Sequence, residues 1–394
     1  MKIATPSSLS FLSFVLLLVS LLKTPVYAYP NFIGYGYTSC TVCHYNAYGN
    51  GPLTDYGRAL GASTISDDRW WLGTRDLNEL GKKSGFLYSE HMTKRFRPSL
   101  DYRGILLKNN LGGEGSENEY FTMDANASLV VRLGPETDLD KFFITGTLGY
   151  APVPRNGSDP DADTYRSREY YIGYRPTKNW GIYAGLMDKI YGIRIVNHEA
   201  YSRSITGNTM NDQTHSLLIH YTSENFDLGI QPFIGNMAEE EQVRQTGVAT
   251  NFEYTVSRKF RPGFSVQMGE SEFLKTYAYA FHARAGFGKG NSVMAEFGQV
   301  QKSQLKREVE TTSRYWMVQT HTLLSKGFFL LNTIEYLKSD LDVESKNLKW
   351  GPGIQYFVIQ GLELRLDIFN SRLYNESSNS EDSWDFAGQV HVWF

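Results

Sequence analysis

The chain has few cysteines, no long apolar run beyond its first residues, and almost no excess of charge of either sign. Two cysteines in 394 residues exclude a small scaffold held together by disulfides. After residue 30 no apolar stretch reaches the roughly 18 residues that a transmembrane helix needs, which excludes a helical membrane protein. The formal net charge of −3 gives no electrostatic reason to expect nucleic acid as a partner.

Aromatic residues and glycine are abundant instead. The chain contains 26 tyrosines, 23 phenylalanines and 36 glycines, and 14% of its residues are aromatic. So many large apolar side chains can cover a large surface, and this excludes intrinsic disorder. A composition rich in tyrosine and glycine indicates an all-β chain.

The first 28 residues have the pattern of a secretory signal peptide. Lys2 provides the positive start, residues 10–22 form the apolar stretch, and Val26-Tyr27-Ala28 is a small-x-small cleavage site. The apolar stretch is too short for a mature transmembrane helix, although an uncleaved anchor is the alternative interpretation. We therefore predict that the protein is exported.

One strong chemical motif follows the predicted signal, Cys40-Thr41-Val42-Cys43-His44. This C-x-x-C-H pattern is the attachment signature of c-type haem. The two thiols reach the two vinyl groups of one porphyrin and form thioethers, and the adjacent imidazole becomes the proximal ligand of the iron. The sequence thus predicts one covalent haem c, held by Cys40 and Cys43 and ligated by His44.

Three other interpretations of the motif are weaker. A redox-active C-x-x-C belongs in a βαβ context, which does not follow here. A structural zinc site normally has four nitrogen or sulfur ligands, and only His44 is close in sequence to the two cysteines. Chance occurrence is the third interpretation, and the combination of export with a motif near the mature start argues against it.

We expect the sixth iron ligand to be a methionine or histidine outside the barrel region, because these residues are the usual axial ligands of haem iron. His91 and Met92 are the candidates, and we favour Met92 over His91; a position open to water is the alternative. Arg58, in a short predicted helix, is a candidate partner of a haem propionate. A solvent-exposed surface arginine is the simpler interpretation of Arg58.

From about residue 97 the sequence alternates with period two, as β-strands do. Leu362 and Leu364, for example, alternate with Glu363 and Arg365. A soluble β-sandwich also alternates, but three features favour a transmembrane barrel. The segments are long enough for tilted bilayer crossings, aromatic residues concentrate at segment ends, and every second residue before Phe394 is apolar.

Sixteen segments fit this pattern, an even number as in bacterial single-chain barrels, and a count of fourteen to eighteen is compatible with the sequence. Short and long gaps alternate, so both ends of the barrel chain are expected on the side of the short periplasmic turns. The predicted fold is therefore all-β, a sixteen-stranded antiparallel transmembrane β-barrel preceded by a small c-type haem segment. The assignments are 1–28 signal peptide, 29–96 monohaem cytochrome c-like segment and connector, and 97–394 barrel. The sixteen segments are 97–109, 119–133, 140–150, 164–175, 180–188, 213–222, 225–236, 245–257, 259–270, 276–287, 291–302, 313–325, 327–338, 345–358, 360–371 and 383–394.

A barrel of this size leaves an aqueous lumen. Alternation places four histidines on the lumen side, where plain polar lining is the default interpretation: His220, His282, His321 and His391. The longest gap, residues 189–212, is predicted to fold inward and constrict the lumen. His198 in this gap would then be able to approach the haem iron as a further metal ligand.

The order of signal peptide, one C-x-x-C-H motif and porin-sized barrel resembles the fused monohaem cytochrome–porin family of bacterial outer membranes, which includes iron oxidases. The residues that carry the resemblance are Cys40, Cys43, His44, the following Tyr56-Gly57-Arg58, and the terminal Phe394. The resemblance implies a location in the bacterial outer membrane, with the haem segment in the periplasm or within the barrel lumen. It also implies a periplasmic electron carrier and an extracellular redox partner such as iron.

Electron transfer is the leading functional hypothesis. The protein would carry electrons between an extracellular donor or acceptor and periplasmic carriers through its single haem, an oxidoreductase-like role rather than that of a hydrolase or transferase. A passive diffusion porin with a structural or sensory haem is the second hypothesis, and a haem peroxidase-like enzyme is the third. Outer-membrane lipid is the expected surrounding, and no nucleic-acid partner is expected.

Overall fold

The computed structural model describes residues 30–37, 39–49, 51–67, 94–111, 118–150, 165–195, 197, 200–257, 259–374 and 381–393. The predicted signal peptide lies outside these described residues. So do His91 and Met92, the candidates for the sixth ligand, and His198 of the predicted inward loop. These three residues remain sequence predictions.

The described chain forms one closed antiparallel sheet. Each strand pairs with its neighbours along the chain, and β1 also pairs with β17, with Gly104 opposite Val390. β4 and β5 both pair with β3 and together make one interrupted strand, so the barrel has sixteen strands, as predicted. The strands are β1 Phe96–Lys108, β2 Asn118–Arg132, β3 Phe142–Tyr150, β4 Tyr165–Arg166, β5 Tyr170–Tyr174, β6 Trp180–Met187, β7 Thr214–Thr222, β8 Phe226–Phe233, β9 Thr246–Tyr254, β10 Phe260–Glu270, β11 Leu274–Phe287, β12 Asn291–Gln304, β13 Val309–Ser325, β14 Phe328–Lys338, β15 Lys346–Ile359, β16 Leu362–Tyr374 and β17 Glu381–Trp393.

Within the described ranges, helices are few and short. The α-helices there are Pro30–Ile33, Asp55–Leu60 and Tyr201–Thr206. Cys40–Val42 and Leu139–Lys141 are single 3₁₀ turns, and Gly61–Ile65 is a π-helical turn. No helix within the described ranges is long and apolar enough to span a bilayer.

The two faces of the barrel wall differ in polarity. Along β11 the side chains of Tyr277 and Phe281 are exposed on the outside, whereas Ala278 and His282 are buried towards the lumen. Buried polar side chains follow the same inward alternation on the neighbouring strands, as Glu296 does on β12. An apolar outer face around a polar interior is the reverse of a soluble sandwich and is typical of a barrel in lipid.

The two ends of the barrel have different connections. The end where β1 begins and β17 finishes carries short turns and is called the turn end. Two of these turns are very short. Gly327 lies in the turn between β13 and β14 and Gly361 in the turn between β15 and β16, with φ angles of +84° and +91°, which favour glycine. The opposite end, called the loop end, carries most of the longer connections, as the alternating gap lengths predict.

The longest described connection folds into the barrel. Residues 188–213, called the inner loop, leave β6 at the loop end and return to β7. The backbone N–H of Ile190 donates to Gln231 on β8 at 2.7 Å, and that of Tyr201 donates to Glu335 on β14 at 2.9 Å. Because these two strands are far apart around the barrel, the inner loop crosses the lumen, as predicted.

The polarity of the outer face generates a prediction. Phe281 lies midway along β11 with its ring exposed on the outside. A Phe281→Arg substitution is expected to destabilise the barrel by about 2–4 kcal/mol in lipid, because a cation at mid-bilayer depth loses its hydration. Denaturant unfolding in phospholipid vesicles measures this cost, with Phe281→Leu as the apolar control. Equal stability of the two variants would show that this face does not meet lipid.

Candidate cofactor site inside the barrel

Most of the described chain that precedes the barrel lies inside it. Residues 30–67, called the lumen segment, bind inward-facing groups of the wall on several strands. The Asn31 amide donates to Gln355 on β15 at 3.0 Å. The ring of Tyr45 packs edge-on against Phe143 on β3, with 5.2 Å between centroids. These anchors place the C-x-x-C-H motif within the lumen, one of the two positions that the resemblance implies.

A single helical turn brings the three motif residues together. The N–H groups of Cys43 and His44 donate to the carbonyl oxygen of Cys40 at 3.1 and 2.9 Å. Since residues three apart eclipse each other on a 3₁₀ turn, the two cysteines share one face of it. His44 follows immediately and lies next to that face. This is the local arrangement that two thioethers and one proximal imidazole on the same porphyrin require.

The helix after the motif packs tightly against it. Thr54 caps the helix Asp55–Leu60 by accepting a hydrogen bond from Gly57 N–H at 3.1 Å, and its own N–H donates to the carbonyl oxygen of Cys43 at 2.9 Å. A Cβ at position 57 would lie 2.4 Å from that same carbonyl oxygen. Only glycine fits there, which explains why a glycine follows the motif at this spacing.

A cavity of about 340 Å³ opens beside the motif. Its volume falls in the usual range of cofactor pockets, about 300–1,000 Å³. Cys40, Cys43 and His44 line it together with apolar and charged groups of the wall. The apolar lining includes Phe32, Ile33, Leu53, Ile65, Met294, Phe357 and Trp393. The charged lining includes Asp101, Arg103, Asp124, Arg168, Asp227, Glu253, Arg284, Glu363 and His391.

The two thiols are poorly ionised as free groups. Burial raises the pKa of Cys40 to about 11 and that of Cys43 to about 12. A catalytic dithiol works through a thiolate with a lowered pKa. The environment of these cysteines therefore disfavours the redox-dithiol interpretation of the motif.

The inner loop covers the lumen segment from the loop end. The hydroxyl of Tyr48 donates to the carbonyl oxygens of Tyr191 and Gly192. The guanidinium of Arg194 donates to the carbonyl oxygen of Gly49 at 3.1 Å. The two inserted segments thus interlock in the middle of the barrel, and the cavity lies between them and the wall.

The structure places Arg58 away from the cavity lining. It forms an ion pair with Asp55 at 3.6 Å, and the same carboxylate accepts two hydrogen bonds from Arg97 of β1 at 2.9 Å. The role of Arg58 towards a propionate stays a prediction.

The four histidines predicted for the lumen side do face inward, and His391 lines the cavity.

Sequence reasoning did not single out most of the cavity lining, including Arg103, Arg168 and Met294. Strand alternation could have identified the inward direction of Arg103 on β1 and Met294 on β12. It could not show that they lie at the same depth as the motif. Arg168 interrupts the strand between β4 and β5, so no alternation indicated its direction.

The close approach at Gly57 generates the second prediction. Gly57→Ala is expected to strain the motif turn by about 1–3 kcal/mol, because the new methyl group overlaps the backbone of Cys43. The amides of Cys43 and His44 should then exchange hydrogen about 5- to 150-fold faster. Gly146→Ala is the control, since a Cβ on Gly146 meets nothing within 4 Å. Unchanged exchange in Gly57→Ala would contradict the close packing of Gly57 against Cys43.

Comparisons with known proteins support the fold. No family model matches the chain, and no curated protein matches it. Among solved structures, the chain is similar to a loop-deletion mutant of OmpT from Vibrio cholerae (TM-score 0.58, 8% identity, 76% of this chain and 99% of that one). It is also similar to the anion-selective porin of Comamonas acidovorans (TM-score 0.57, 7% identity, 76% and 99%) and to OmpF of Salmonella typhi in complex with daunomycin (TM-score 0.55, 12% identity, 76% and 97%). The chain therefore has the fold of the outer-membrane porins, and its apolar outer face agrees with the predicted location in the bacterial outer membrane.

Proposed function

We propose that the protein is an outer-membrane cytochrome–porin that carries electrons through one haem c inside its barrel. The observation that carries this proposal is the position of Cys40, Cys43 and His44 on the lining of a lumen cavity. The electrons would pass between an extracellular donor or acceptor, such as iron, and a periplasmic carrier at the turn end.

The residues around the cavity suit a haem. Cys40 and Cys43 would hold it and His44 would ligate its iron, while Phe357 and Trp393 offer apolar surface to the macrocycle. Several arginines lie on the same lining and suit its carboxylates. When bound, the haem supplies one-electron chemistry, whose potential depends on the axial ligands and on burial.

The chain itself would insulate and position this group. The barrel wall separates the lumen from lipid. The hydrogen bonds of Tyr48 to the inner loop hold the two inserted segments together, and this would restrict the entry of water and solutes from the loop end. At the turn end the motif approaches the surface, because Val42 is 39% exposed. A second cavity, of about 370 Å³, lies there between Val42 and the turn that follows β5. This is the part of the described surface where a periplasmic carrier would approach closest to the motif.

The proposal is tested first by the cofactor. The purified wild-type protein is expected to carry one haem that survives denaturing electrophoresis and gives a c-type pyridine haemochrome spectrum. The double variant Cys40→Ala, Cys43→Ala should lose the covalent haem and keep the folded barrel, because neither cysteine contributes to the wall. Absence of covalent haem from wild-type protein matured with a cytochrome c assembly system would overturn the proposed function.

Electron transfer is then measured across a membrane. Liposomes that contain an internal redox dye and the wild-type protein should reduce the dye when an external reductant is added. Liposomes with the double cysteine variant should not, since only the haem differs between them. If dye reduction were equal with the two proteins, the haem would not be the path of the electrons.

A passive porin is the second candidate, and the porin fold favours it. It predicts ion conductance in planar bilayers that the double cysteine variant retains. Under the electron-transfer proposal the wild-type channel is expected to conduct little, because the lumen segment and the inner loop cross it. Tyr48→Ala should then raise the conductance by loosening the interlock, and a wild-type channel that already conducts as well as Tyr48→Ala would favour the passive porin.

A further inference from the structure

Cys40 is within electrostatic range of charged groups on four consecutive strands, and three of these groups line the same cavity. These neighbours are Asp227 on β8, Glu253 on β9, Arg261 on β10 and Arg284 on β11. With β4 and β5 counted as one strand, they are the seventh to tenth strands of the barrel. The strands directly across the lumen are therefore the last two and the first two, β16, β17, β1 and β2.

That opposite side of the cavity contains two arginines. Arg103 projects inward from β1, and Arg168 lies next to Asp124 of β2. We call these two residues the arginine wall. Asp101 and Glu363 also lie there, and both bind His391, with Asp101 at 2.8 Å from its Nε2 and Glu363 at 3.1 Å from its Nδ1. These two carboxylates already have a cationic or hydrogen-bonding partner.

Arg168 is buried with unused hydrogen-bonding capacity. The residue is only 6% exposed, and its Nη1 donates to Asp124 at 3.2 Å. Its Nε and Nη2 are buried and find no acceptor among the described residues. The Nε of Arg103 is also buried and finds no acceptor among the described residues. Its Nη2 lies 3.4 Å from Nδ1 of His391. Leaving buried guanidinium N–H groups without acceptors is costly, so an acceptor in the cavity would be stabilising.

We propose that the arginine wall binds the carboxylates of the haem propionates, an inference that rests on the proposed function. A porphyrin carries its two vinyl-derived substituents on one edge and its two propionates on the opposite edge. A haem attached at Cys40 beside β8–β11 therefore directs its propionates towards Arg103 and Arg168. A planar guanidinium and a carboxylate pair through two parallel hydrogen bonds, and the free N–H groups of Arg168 offer this geometry.

The reduction potential tests the charge of the wall. Arg168→Gln is expected to lower the ratio of reduced to oxidised haem about tenfold at a fixed applied potential. The substitution removes a nearby cation, and a nearby cation favours the reduced state. For one electron this is a fall of about 59 mV. Arg103→Gln should act in the same direction and serves if Arg168→Gln does not fold. Arg314→Gln, which removes an exposed arginine of β13, is the matched control and should leave the potential unchanged.

Resonance Raman spectroscopy tests the hydrogen bonds themselves. The bending band of the haem propionates should shift in Arg168→Gln and also in Arg168→Lys, which keeps the charge but loses the planar fork. Arg168→Lys should retain the wild-type potential within the spread of the Arg314→Gln control. A lowered potential with an unchanged propionate band would overturn the assignment, since Arg168 would then act only as a distant charge.

A free carboxylate in the lumen is the other source of the same chemistry. If succinate shifted the wild-type potential, and Arg168→Gln abolished that dependence without a change in the propionate band, the wall would bind free carboxylates and the propionate assignment would be wrong. These outcomes differ from failure of the proposed function. If the wild-type protein carries no covalent haem, both proposals are wrong. If it carries haem but its reduction potential and propionate band do not change on substitution of Arg168 or Arg103, only the propionate assignment is wrong.

Discussion

Closure of the sheet between β1 and β17 is the constraint on which the rest of the structure depends. A closed sheet has no free edge, so every strand satisfies its backbone groups within the wall and only side chains distinguish outside from inside. Lipid then selects apolar groups on the outer face. The lumen becomes the place where polar side chains gather, and any segment that enters it must satisfy them.

The two inserted segments meet this condition in different ways. The inner loop uses its own N–H groups as donors to inward carboxylates and amides such as Gln231 and Glu335. The lumen segment uses side chains, as Asn31 does with Gln355, and adds ring packing at Tyr45. Buried polar groups of the wall thus act as anchors, and partners from the inserted segments offset the cost of their burial.

The sequence predicted the wall well and the interior only in part. Period two and turn residues were enough to identify sixteen strands, their direction and the inward histidines, because lipid enforces alternation along each strand. Even Pro352 fits within β15, where the ladder to β16 passes from Trp350 directly to Gly353. The depth of each inward side chain along the barrel axis was not predictable from the sequence, because it depends on the stagger between neighbouring strands. Arg58 therefore pairs with Asp55 next to Arg97, while Arg103 and Arg168 reach the cavity.

A porin fold and an electron conduit make opposite demands on the lumen. A porin needs open water along its axis, whereas an electron carrier needs a fixed group at short distance from both faces and little leakage of solutes. The lumen segment carries the haem motif, and Tyr48 holds this segment against the inner loop. Together these features would give a porin-type barrel the fixed group and the low leakage that an electron carrier needs. One haem below the barrel could not shorten the distance across the membrane. Under the proposed function, an attachment site within the lumen would let a single haem serve both sides, which would give the insertion of residues 30–67 a physical purpose.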